Sequence, residues 1–308
     1  MIITVTLNPA LDKTVTMPGF AVNTVNRVQS TRLDPGGKGI NVSKSVKALG
    51  GRTLAISVLG GATGGYIKAS LDKMAIPNDM VITGDSTRTN LKIVDPVLGT
   101  NTDINEPGSP ISQELLEKVW EKLSAAVKPG DTVVFAGKNP PQMADELLAD
   151  WISLLKSRGV RVCVDTVGEP MRLALEQKPH IIKPNRMEFS ELTGRDMRSV
   201  DEIVREAKKL VDQGVELVTV SLGGDGAVYA NMSGENGHCP AIEVQVKDTT
   251  GAGDAFCAGV SIGLTYGKTL RESIEIGSQL AASVITSSEN VCPRFLPREL
   301  GLDIEAEH

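Results

Sequence analysis

Cysteine, histidine and aromatic residues are scarce in this chain. It has four cysteines, three histidines and 3% aromatic residues over 308 positions. The cysteines lie far apart with no C-x-x-C pair, which argues against a zinc knuckle or a disulfide framework and favours a reducing compartment. His180, His238 and His308 show no metal or triad spacing, so a histidine-based hydrolase is not expected.

Long apolar runs and an excess of positive charge are also missing. No segment approaches the ~20 apolar residues that cross a bilayer, and the first residues lack the pattern of a signal peptide. The formal net charge of −6 offers no basic surface for nucleic acid or an anionic membrane. We therefore expect a cytoplasmic protein with no nucleic-acid or membrane partner, in which any anion site is locally positive.

Strand and helix patterns alternate along most of the chain. Residues 2–7 form a β-branched run typical of a strand, further strands are predicted at 132–136 and 160–164, and helical spacing occupies 115–123 and 147–155. Such alternation predicts a mostly parallel sheet with helices on both faces, a three-layer α/β/α fold. The length suits a single domain over residues 1–308.

Two segments interrupt this alternation. Residues 13–33, with a turn at Pro18-Gly19, and residues 86–106 alternate apolar and polar side chains, as exposed antiparallel strands do. Helical sequence separates them. We expect the two segments to leave the main sheet and pair with each other as a small β-sheet lid.

The stretch at 247–259, Lys-Asp-Thr-Thr-Gly-Ala-Gly-Asp-Ala-Phe-Cys-Ala-Gly, carries the strongest chemical signal. It follows a strand-like run at 242–246 and opens a helix. The backbone N–H groups of Gly251, Ala252 and Gly253 can converge on an anion such as phosphate at the helix N-terminus. Asp254 would repel that anion, which indicates a general base for an attacking hydroxyl. A glycine-rich turn with Asp254 as a helix N-terminal acid is the structural alternative.

A second glycine-rich stretch, Gly36-Gly37-Lys38-Gly39-Ile40-Asn41, opens an earlier helix. Residues without side chains let the backbone lie against a polyhydroxylated sugar. Asn41 can donate to and accept from hydroxyls, and Lys38 can meet a phosphate. On its own this stretch is equally consistent with a plain helix entry.

Polar or glycine-rich residues follow several predicted strands, at the edge where open parallel sheets bind ligands. They are Asp12, Gly137, Lys138, Asp165, Lys183, Asn185, Glu188, Ser221, Gly223, Gly224 and Gly226. Asn185 and Glu188 stand three apart on an opening helix, so both can face one Mg²⁺ and its waters, while Lys183 reaches a nucleotide phosphate.

The motifs at 36–41, 183–188 and 248–254 together resemble the signatures of the PfkB or ribokinase-like carbohydrate kinases, and the resemblance spans essentially residues 1–295. It implies a ribokinase-like fold, ATP and Mg²⁺ as cofactors, and a homodimer formed through the lid. In that family Asp254 is the catalytic base, residues 251–253 form the anion hole, and the loop at 221–226 binds nucleotide phosphate. Relatives bind a monovalent cation in the segment that corresponds to residues 284–293.

The resemblance also implies how the sugar is held. Asp12 matches the sugar-binding aspartate, and Arg88, in Arg88-Thr89-Asn90, matches the residue that holds an existing phosphate. A loop acid and a solvated strand arginine are the alternatives. Two residues depart from the family pattern, because Thr250 replaces the commoner valine and Lys138 replaces a serine near the phosphosugar. Lys138 either adds a phosphate contact or signals a different substrate.

Three local segments are most similar to those of family members that phosphorylate fructose 1-phosphate. They are residues 6–12, 88–90 and 102–105. The expected reaction is therefore fructose 1-phosphate plus ATP to fructose 1,6-bisphosphate plus ADP. Tagatose 6-phosphate and then fructose 6-phosphate are the alternative substrates. A sugar-phosphate sensor that keeps the fold without catalysis is the alternative from another functional class.

Overall fold

The computed structural model describes residues 1–287, 297–302 and 304 of the chain. The strands within these residues are β1 (Ile2–Thr6), β2 (Ala10–Thr16), β3 (Ser30–Gly36), β4 (Thr53–Gly60), β5 (Asn78–Thr83), β6 (Arg88–Asp95), β7 (Thr100–Asn105), β8 (Thr132–Ala136), β9 (Arg161–Asp165), β10 (Ile181–Ile182), β11 (Leu217–Ser221), β12 (Ala227–Asn231) and β13 (Asn236–Cys239). The α-helices are α1 (Lys38–Ala48), α2 (Gly61–Lys73), α3 (Gln113–Ala126), α4 (Glu146–Ser157), α5 (Glu169–Glu176), α6 (Arg186–Thr193), α7 (Val200–Asp212), α8 (Ala252–Thr265) and α9 (Leu270–Thr286).

The large sheet is mostly parallel. Its strand order is β13-β12-β11-β10-β9-β8-β1-β4-β5, and the seven strands from β11 to β5 run parallel to one another. At one edge, β12 pairs antiparallel with β11 and β13 pairs antiparallel with β12. The carboxyl ends of the parallel strands therefore lie along one edge of the sheet, where such folds bind ligands.

Neighbouring residues of the central strands face opposite helical layers. Ile2 of β1 and Val134 of β8 pack with α1, α8 and α9, whereas Ile3 and Val133 pack with α3, α4, α5, α6 and α7. All four side chains are fully buried. This period-2 alternation explains why the strands are apolar throughout, because both faces of the sheet are covered. The predicted three-layer α/β/α arrangement is confirmed.

A smaller sheet stands apart from the large one, with the order β3-β2-β6-β7. The outer pairs are antiparallel, but β2 and β6 run parallel. Asp12 lies inside β2, and its backbone pairs with Asn90 of β6 and Asp34 of β3. The sequence predicted Asp12 directly after the first strand and before the lid segment at 13–33. The difference arises because β2 starts directly after the turn at residues 7–9.

The strand expected at residues 242–246 is absent, and that prediction is wrong. Pro240, which has no N–H to donate to a sheet, directly follows β13. The backbone N–H groups of Lys247 and Asp248 then donate to the carbonyl of Ile285 near the end of α9. The segment before α8 is therefore irregular, and it is held by a helix terminus instead of a neighbouring strand.

Two helices begin at capping boxes formed by side chains close together in the sequence. Ser199 with Glu202 and Thr269 with Glu272 form complete capping boxes at the starts of α7 and α9. Across the described part of the chain, none of the helices combines the length and apolarity that a bilayer crossing requires.

Candidate active site

The candidate active site lies where the N-terminus of α8 meets the carboxyl ends of the parallel strands. Gly251 precedes the helix with φ = 80°, a left-handed conformation that favours glycine. Ala252, Gly253 and Asp254 form the first turn of α8. A Cβ added to Gly253 would stand 3.4 Å from Lys183 Nζ, so the small residue leaves space between the helix start and an ammonium group.

Asp254 is a buried acid with an altered pKa. Its relative exposure is 8%. Burial, reinforced by the nearby charge of Asp165, raises its pKa to about 6, although the hydrogen bond from Asn41 and the charges of Lys38 and Lys183 act in the opposite direction. A carboxylate with this pKa is ionised at neutral pH and close to the range that suits proton transfer. The group can therefore accept a proton from a hydroxyl placed beside it.

Asn41 of α1 contacts that acid directly. Its Nδ2 donates to Asp254 Oδ2 at 2.8 Å, a contact between residues 213 positions apart. The start of α1 comes close to β1, since a Cβ at Gly37 would stand 2.8 Å from Thr6 Cγ2, and Gly37 has φ = 116°. The glycines at the start of α1 therefore allow the close approach that brings Asn41 to the start of α8.

A chain of charges joins three segments of the site. Lys38 Nζ lies 2.9 Å from Asp165 Oδ1, and Lys183 Nζ lies 3.1 Å from Asp165 Oδ2. Burial raises the pKa of Asp165, but the two lysines outweigh it and the net pKa is lowered. Burial is the largest effect on both lysines and lowers their pKa, but the charge of Asp165 and those of the other nearby acidic groups together outweigh it, so the net pKa of each lysine is raised. All three groups are thus charged, and two cations lie beside the helix start.

Asn185 and Glu188 form the capping box of α6. Asn185 Oδ1 accepts from the Glu188 N–H at 2.9 Å, and Glu188 Oε2 accepts from the Asn185 N–H at 2.8 Å. Glu188 Oε1 lies 3.5 Å from Lys38 Nζ. The predicted Mg²⁺ residues are therefore adjacent, and one carboxylate oxygen of Glu188 faces the cation cluster, while the side-chain oxygen of Asn185 is engaged in the cap.

The loop that begins at Ser221 lies beside Asn185. The two residues form a parallel bridge, and the Ser221 N–H donates to the Pro184 carbonyl at 3.1 Å. The glycines after Ser221 differ in role: Gly223 has φ = 63°, and a Cβ at Gly226 would stand 2.1 Å from the Cys239 carbonyl oxygen. Gly226 is thus required by packing against the end of β13, whereas the Gly224 position is open.

Asp12, Asn90 and Arg88 form a hydrogen-bonded row on the small sheet. Asn90 Nδ2 donates to Asp12 Oδ1 at 2.9 Å, and Arg88 Nη1 donates to Asn90 Oδ1 at 2.9 Å. Burial raises the pKa of Asp12 despite the Asn90 hydrogen bond. A Cβ at Gly36 would stand 2.1 Å from Asp12 Oδ2, so only glycine permits this approach.

Arg88 also binds the backbone. It donates to the carbonyls of Glu106 at 2.9 Å and Asn8 at 3.1 Å. Its Nε is buried and has no hydrogen-bond partner within the described residues. Three of the five guanidinium N–H donors are used in these bonds, so the Nε–H and one Nη2–H remain for a ligand oxygen.

Lys138 follows β8 at the same sheet edge. The preceding Gly137 donates its N–H to the Asp165 carbonyl at 2.9 Å. The Lys138 side chain is exposed, and no hydrogen bond or ion pair joins it to another residue in the part of the chain that the structure describes. Lys138 therefore follows a strand at the same sheet edge as the cluster of Lys38, Asp165 and Lys183, but forms no ion pair with that cluster.

Several residues of the site were not among the sequence-based candidates. Asp165 was noted only as a strand-end acid, yet it joins Lys38 to Lys183. Lys44 donates to Asn41 Oδ1 at 3.0 Å, an i, i+3 spacing on one helix that the sequence contained. Lys92 of β6 lies 2.9 Å from Asp248 Oδ1 and also bonds Thr250 Oγ1. That contact spans more than 150 residues, so no local signal reveals it.

The donor set fits a metal ion that arrives with phosphate. Within the described residues, no three or more histidine, cysteine, aspartate or glutamate side chains are grouped to hold a metal. Mg²⁺ at phosphoryl-transfer sites is held by substrate phosphates and waters with one or two carboxylates, so it needs no such group. The Glu188 carboxylate beside Lys38 is a group that could provide a contact of this kind.

Comparison with known proteins gives a consistent result. The model of the pfkB family carbohydrate kinases matches residues 5–292. A 1-phosphofructokinase of Bacillus subtilis is 35% identical over 96% of this chain and 98% of its own length, and one of Borreliella burgdorferi is 34% identical over 95% and 94%. These matches extend over nearly the whole chain.

Solved structures show the same fold. Phosphofructokinase-2 of Escherichia coli in complex with fructose-6-phosphate superposes with a TM-score of 0.89 at 28% identity, covering 97% of this chain and 96% of the other. Ribokinase of Thermotoga maritima superposes with a TM-score of 0.76 at 22% identity over 97% of each chain, which shows the fold alone. The predicted ribokinase-like fold and the predicted phosphotransferase class are confirmed, and the chain belongs to the pfkB family of carbohydrate kinases.

Proposed function

We propose that this protein transfers the γ-phosphoryl group of ATP to a hydroxyl of fructose 1-phosphate, giving fructose 1,6-bisphosphate and ADP. The observation that carries the proposal is the buried Asp254, with a pKa raised to about 6, in the first turn of a helix whose start also faces Lys183. A pure binding site has no use for an acid beside an anion hole. The relatives named 1-phosphofructokinase support the choice of sugar.

In this proposal both proton removal and phosphoryl transfer take place at the start of α8. Asp254 takes the proton from the acceptor hydroxyl as the hydroxyl oxygen attacks. The backbone N–H groups of residues 251–253, together with Lys183, stabilise the charge that develops on the transferred group. Phosphoryl transfer depends on positioning and electrostatics more than on covalent chemistry, so this set of groups is sufficient.

The sugar is held between α1 and the small sheet. Asp12, Asn90 and Asn41 provide acceptors and donors for hydroxyls, and the backbone at Gly36 and Gly37 lies against the ring. We assign the existing phosphate to Arg88, supported by its unpaired buried Nε. Lys138 stays a candidate phosphate contact, and an exposed lysine at this edge can turn toward an anion.

ATP lies along the edge formed by the 183–188 and 221–226 segments. Lys183, Asn185, Ser221, Gly223 and Gly224 line its phosphates in this proposal. Glu188 is the carboxylate that would hold Mg²⁺, which when bound would neutralise the negative charge of the phosphates. The packing role of Gly226 suggests that this glycine shapes the loop without touching the nucleotide.

The small sheet acts as the lid and as the dimer contact in this proposal. Water is a competing acceptor of the phosphoryl group, so a cover over the sugar is required. The proposed monovalent-cation segment, residues 284–293, falls outside the described residues from position 288 onward. One solved relative is phosphofructokinase-2 of Escherichia coli in complex with potassium, which supports the cation proposal.

A coupled assay of ADP release tests the substrate. Fructose 1-phosphate is expected to give a kcat/KM more than tenfold above those of tagatose 6-phosphate and fructose 6-phosphate. A preference of that size for tagatose 6-phosphate would replace the proposed substrate. Phosphosugar binding by calorimetry without turnover of any of the three would favour the sensor.

The role of Asp254 is tested with the isosteric Asp254→Asn. Loss of a general base costs about 10²–10⁴ in rate, while the affinity for phosphosugar and ATP is largely kept. Turnover at the wild-type rate would remove Asp254 from the reaction. Asp150→Asn is a suitable control, since this aspartate is exposed on α4.

A further inference from the structure

A lysine on α1 controls which way the amide of Asn41 faces. Lys44 Nζ donates to Asn41 Oδ1 at 3.0 Å, and Asn41 Nδ2 donates to Asp254 Oδ2 at 2.8 Å. An ammonium group has three donors and no acceptor, so it can only face the amide oxygen. The amide nitrogen is thereby turned to Asp254. The three side chains form one directed series of hydrogen bonds.

We propose that Lys44 is a positioning residue for the reaction: it fixes the Asn41 amide so that Asp254 always receives a donor on Oδ2 and keeps Oδ1 for the acceptor hydroxyl. Without Lys44 the amide is free to rotate and present its oxygen to Asp254. That arrangement is stable only when Asp254 carries a proton, because two acceptors repel each other. A protonated Asp254 cannot act as the base.

The charges around Lys44 and Asp254 are consistent with this role. Burial lowers the pKa of Lys44, the carboxylates of Asp34, Asp12 and Asp254 oppose that shift, and Arg32 adds to it. Lys44 thus introduces a positive charge among three acids. Its side chain lines a small cavity together with Asp34, Asn41, Ser45, Thr250, Gly251 and Val284, so it borders the start of α8.

Asp254 is also surrounded by other ionisable groups. Lys38 faces it from α1, Asp165 from the end of β9, and Lys183 from the segment after β10. These three residues are unchanged when Lys44 is replaced. A change in the pKa of Asp254 in that variant is therefore caused by the loss of Lys44. The inference rests on the proposed function, because it assigns Lys44 to the same base and the same acceptor hydroxyl.

The main test compares Lys44→Met with Lys47→Met. Both remove one ammonium from α1, but Lys47 is exposed and lies in the last turn. Methionine has a similar length and no charge, and replacing a partly buried ammonium by an apolar chain removes a desolvation cost. Both variants are therefore expected to fold, and a thermal unfolding curve checks this.

The pH profile of kcat/KM for fructose 1-phosphate is the main readout, since it reports the ionisation of the free enzyme. Loss of the fixed Asn41 donor raises the pKa of Asp254 by about one pH unit, because the hydrogen bond from Asn41 holds that pKa down. At pH 6 the ionised fraction then falls from about one half to about one tenth, a roughly fivefold loss, and at pH 8 the loss is about 1.1-fold. The phosphates of substrate and ATP titrate identically in every variant, so the difference reports on the protein.

A double-mutant cycle separates positioning through Asn41 from a direct effect. If Lys44 acts through Asn41, Lys44→Met changes the profile by less than about twofold in an Asn41→Ala background. A fivefold additional loss at pH 6 in that background overturns the proposal. So does a Lys44→Met profile that matches that of Lys47→Met.

A measurement that needs no turnover tests the role of Lys44 independently of the proposed function. The pKa of Asp254 is read from the ¹³C carboxyl resonance that disappears in Asp254→Asn, in protein labelled at aspartate. An upward shift of about one unit in Lys44→Met, but not in Lys47→Met, supports the inference even if none of the three phosphosugars is phosphorylated, and no shift rejects it. Absence of turnover in the wild type, by contrast, counts only against the proposed function.

Discussion

Asp254 shows how a single residue carries both a functional benefit and a cost in stability. The fold buries this carboxyl at 8% exposure and raises its pKa from 3.8 to about 6. A raised pKa in an acid means that the folded state holds the proton more tightly than the unfolded state does. Ionisation of Asp254 therefore lowers the free energy of unfolding, and interactions elsewhere in the fold must compensate for it.

Asp254→Asn is expected to become more stable relative to the wild type as pH rises. The contribution of Asp254 to the free energy of unfolding falls between pH 3.8 and 6, because the unfolded chain ionises first, and is lowest above pH 6. The shift corresponds to roughly 2–3 kcal/mol between pH 4 and pH 7. Urea unfolding of both proteins at the two pH values measures it. An equal difference between the proteins at pH 4 and pH 7 would contradict the raised pKa.

Gly253 offers a residue-scale test of the anion hole. Its φ lies outside the left-handed region and it sits inside α8, so alanine fits the backbone and stabilises the helix by about 0.5–1 kcal/mol. The new methyl group would occupy the space 3.4 Å from Lys183 Nζ. Gly253→Ala is therefore expected to unfold at higher urea concentration while kcat falls about 10²–10³-fold.

Gly65→Ala is the matched control for that variant. Gly65 is exposed within α2 and has no atom within 4 Å of an added Cβ. It should gain similar helix stability with unchanged kcat. If Gly253→Ala kept the activity of this control, the start of α8 would not be where the phosphoryl group is transferred.

The sequence predicted the residues whose role is local and missed those whose role depends on distant contacts. Gly251 and Asp254 belong to one helix start, and Asn185 and Glu188 form one capping box, so short patterns reveal them. Asp165 joins Lys38 across 127 positions, a contact that no local pattern contains. The residue assignments themselves stay proposals until the variants are measured.

At the scale of elements, amphipathic helices and buried strands were predictable because their periodicity directly reflects burial. The run at 242–246 was misassigned because apolar β-branched residues alone do not make a strand. Ile242 and Val246 are 43% and 54% exposed, and among the residues that the structure describes no strand pairs with their backbone. Pairing, not composition, decides whether such a run becomes part of a sheet.

Strand β6 connects the small sheet to the loop before α8. Lys92 pairs with Asp248 in a contact where both side chains are only 16% and 17% exposed, and it also bonds Thr250. Burial raises the pKa of Asp248, but the bonds from Lys92 and Thr250 outweigh it and the net pKa is lowered. The pair thus holds the loop that leads into Gly251 against the small sheet, which is the lid in the proposed function.

Lys92→Met is expected to loosen that loop. Loss of a largely buried pair should lower the free energy of unfolding by about 1–3 kcal/mol and speed amide exchange at residues 248–253, with a smaller kcat. Lys118→Met is the control, because its pair with Glu114 is exposed to solvent and contributes little to stability. Unchanged exchange at 248–253 would show that β6 does not hold the loop.

At the scale of the whole molecule, the small sheet leaves apolar side chains in solvent. Every residue of β7 is exposed. Six large apolar residues are exposed in the small sheet and the connections between its strands: Val22, Val25 and Val28 between β2 and β3, Val97 and Leu98 between β6 and β7, and Ile104 on β7. A concentration of such residues on one part of a surface is typical of an interaction site. This distribution supports the proposed homodimer, in which one small sheet packs against its copy.

Val25→Asp tests that dimer, since Val25 is 82% exposed in the single chain and would be covered in the assembly. Sedimentation should show the wild type at twice the mass of one chain. Placing a carboxylate in a covered apolar contact costs about 3 kcal/mol or more, which weakens the dimer by over about 100-fold and gives monomers at micromolar concentration. Ile82→Asp is the control, because Ile82 is 65% exposed on β5, at the far edge of the large sheet, and should leave the dimer intact. A wild type that sediments as a monomer would reject the dimer. A dimer that survives Val25→Asp but is lost in Ile82→Asp would place the contact away from the small sheet.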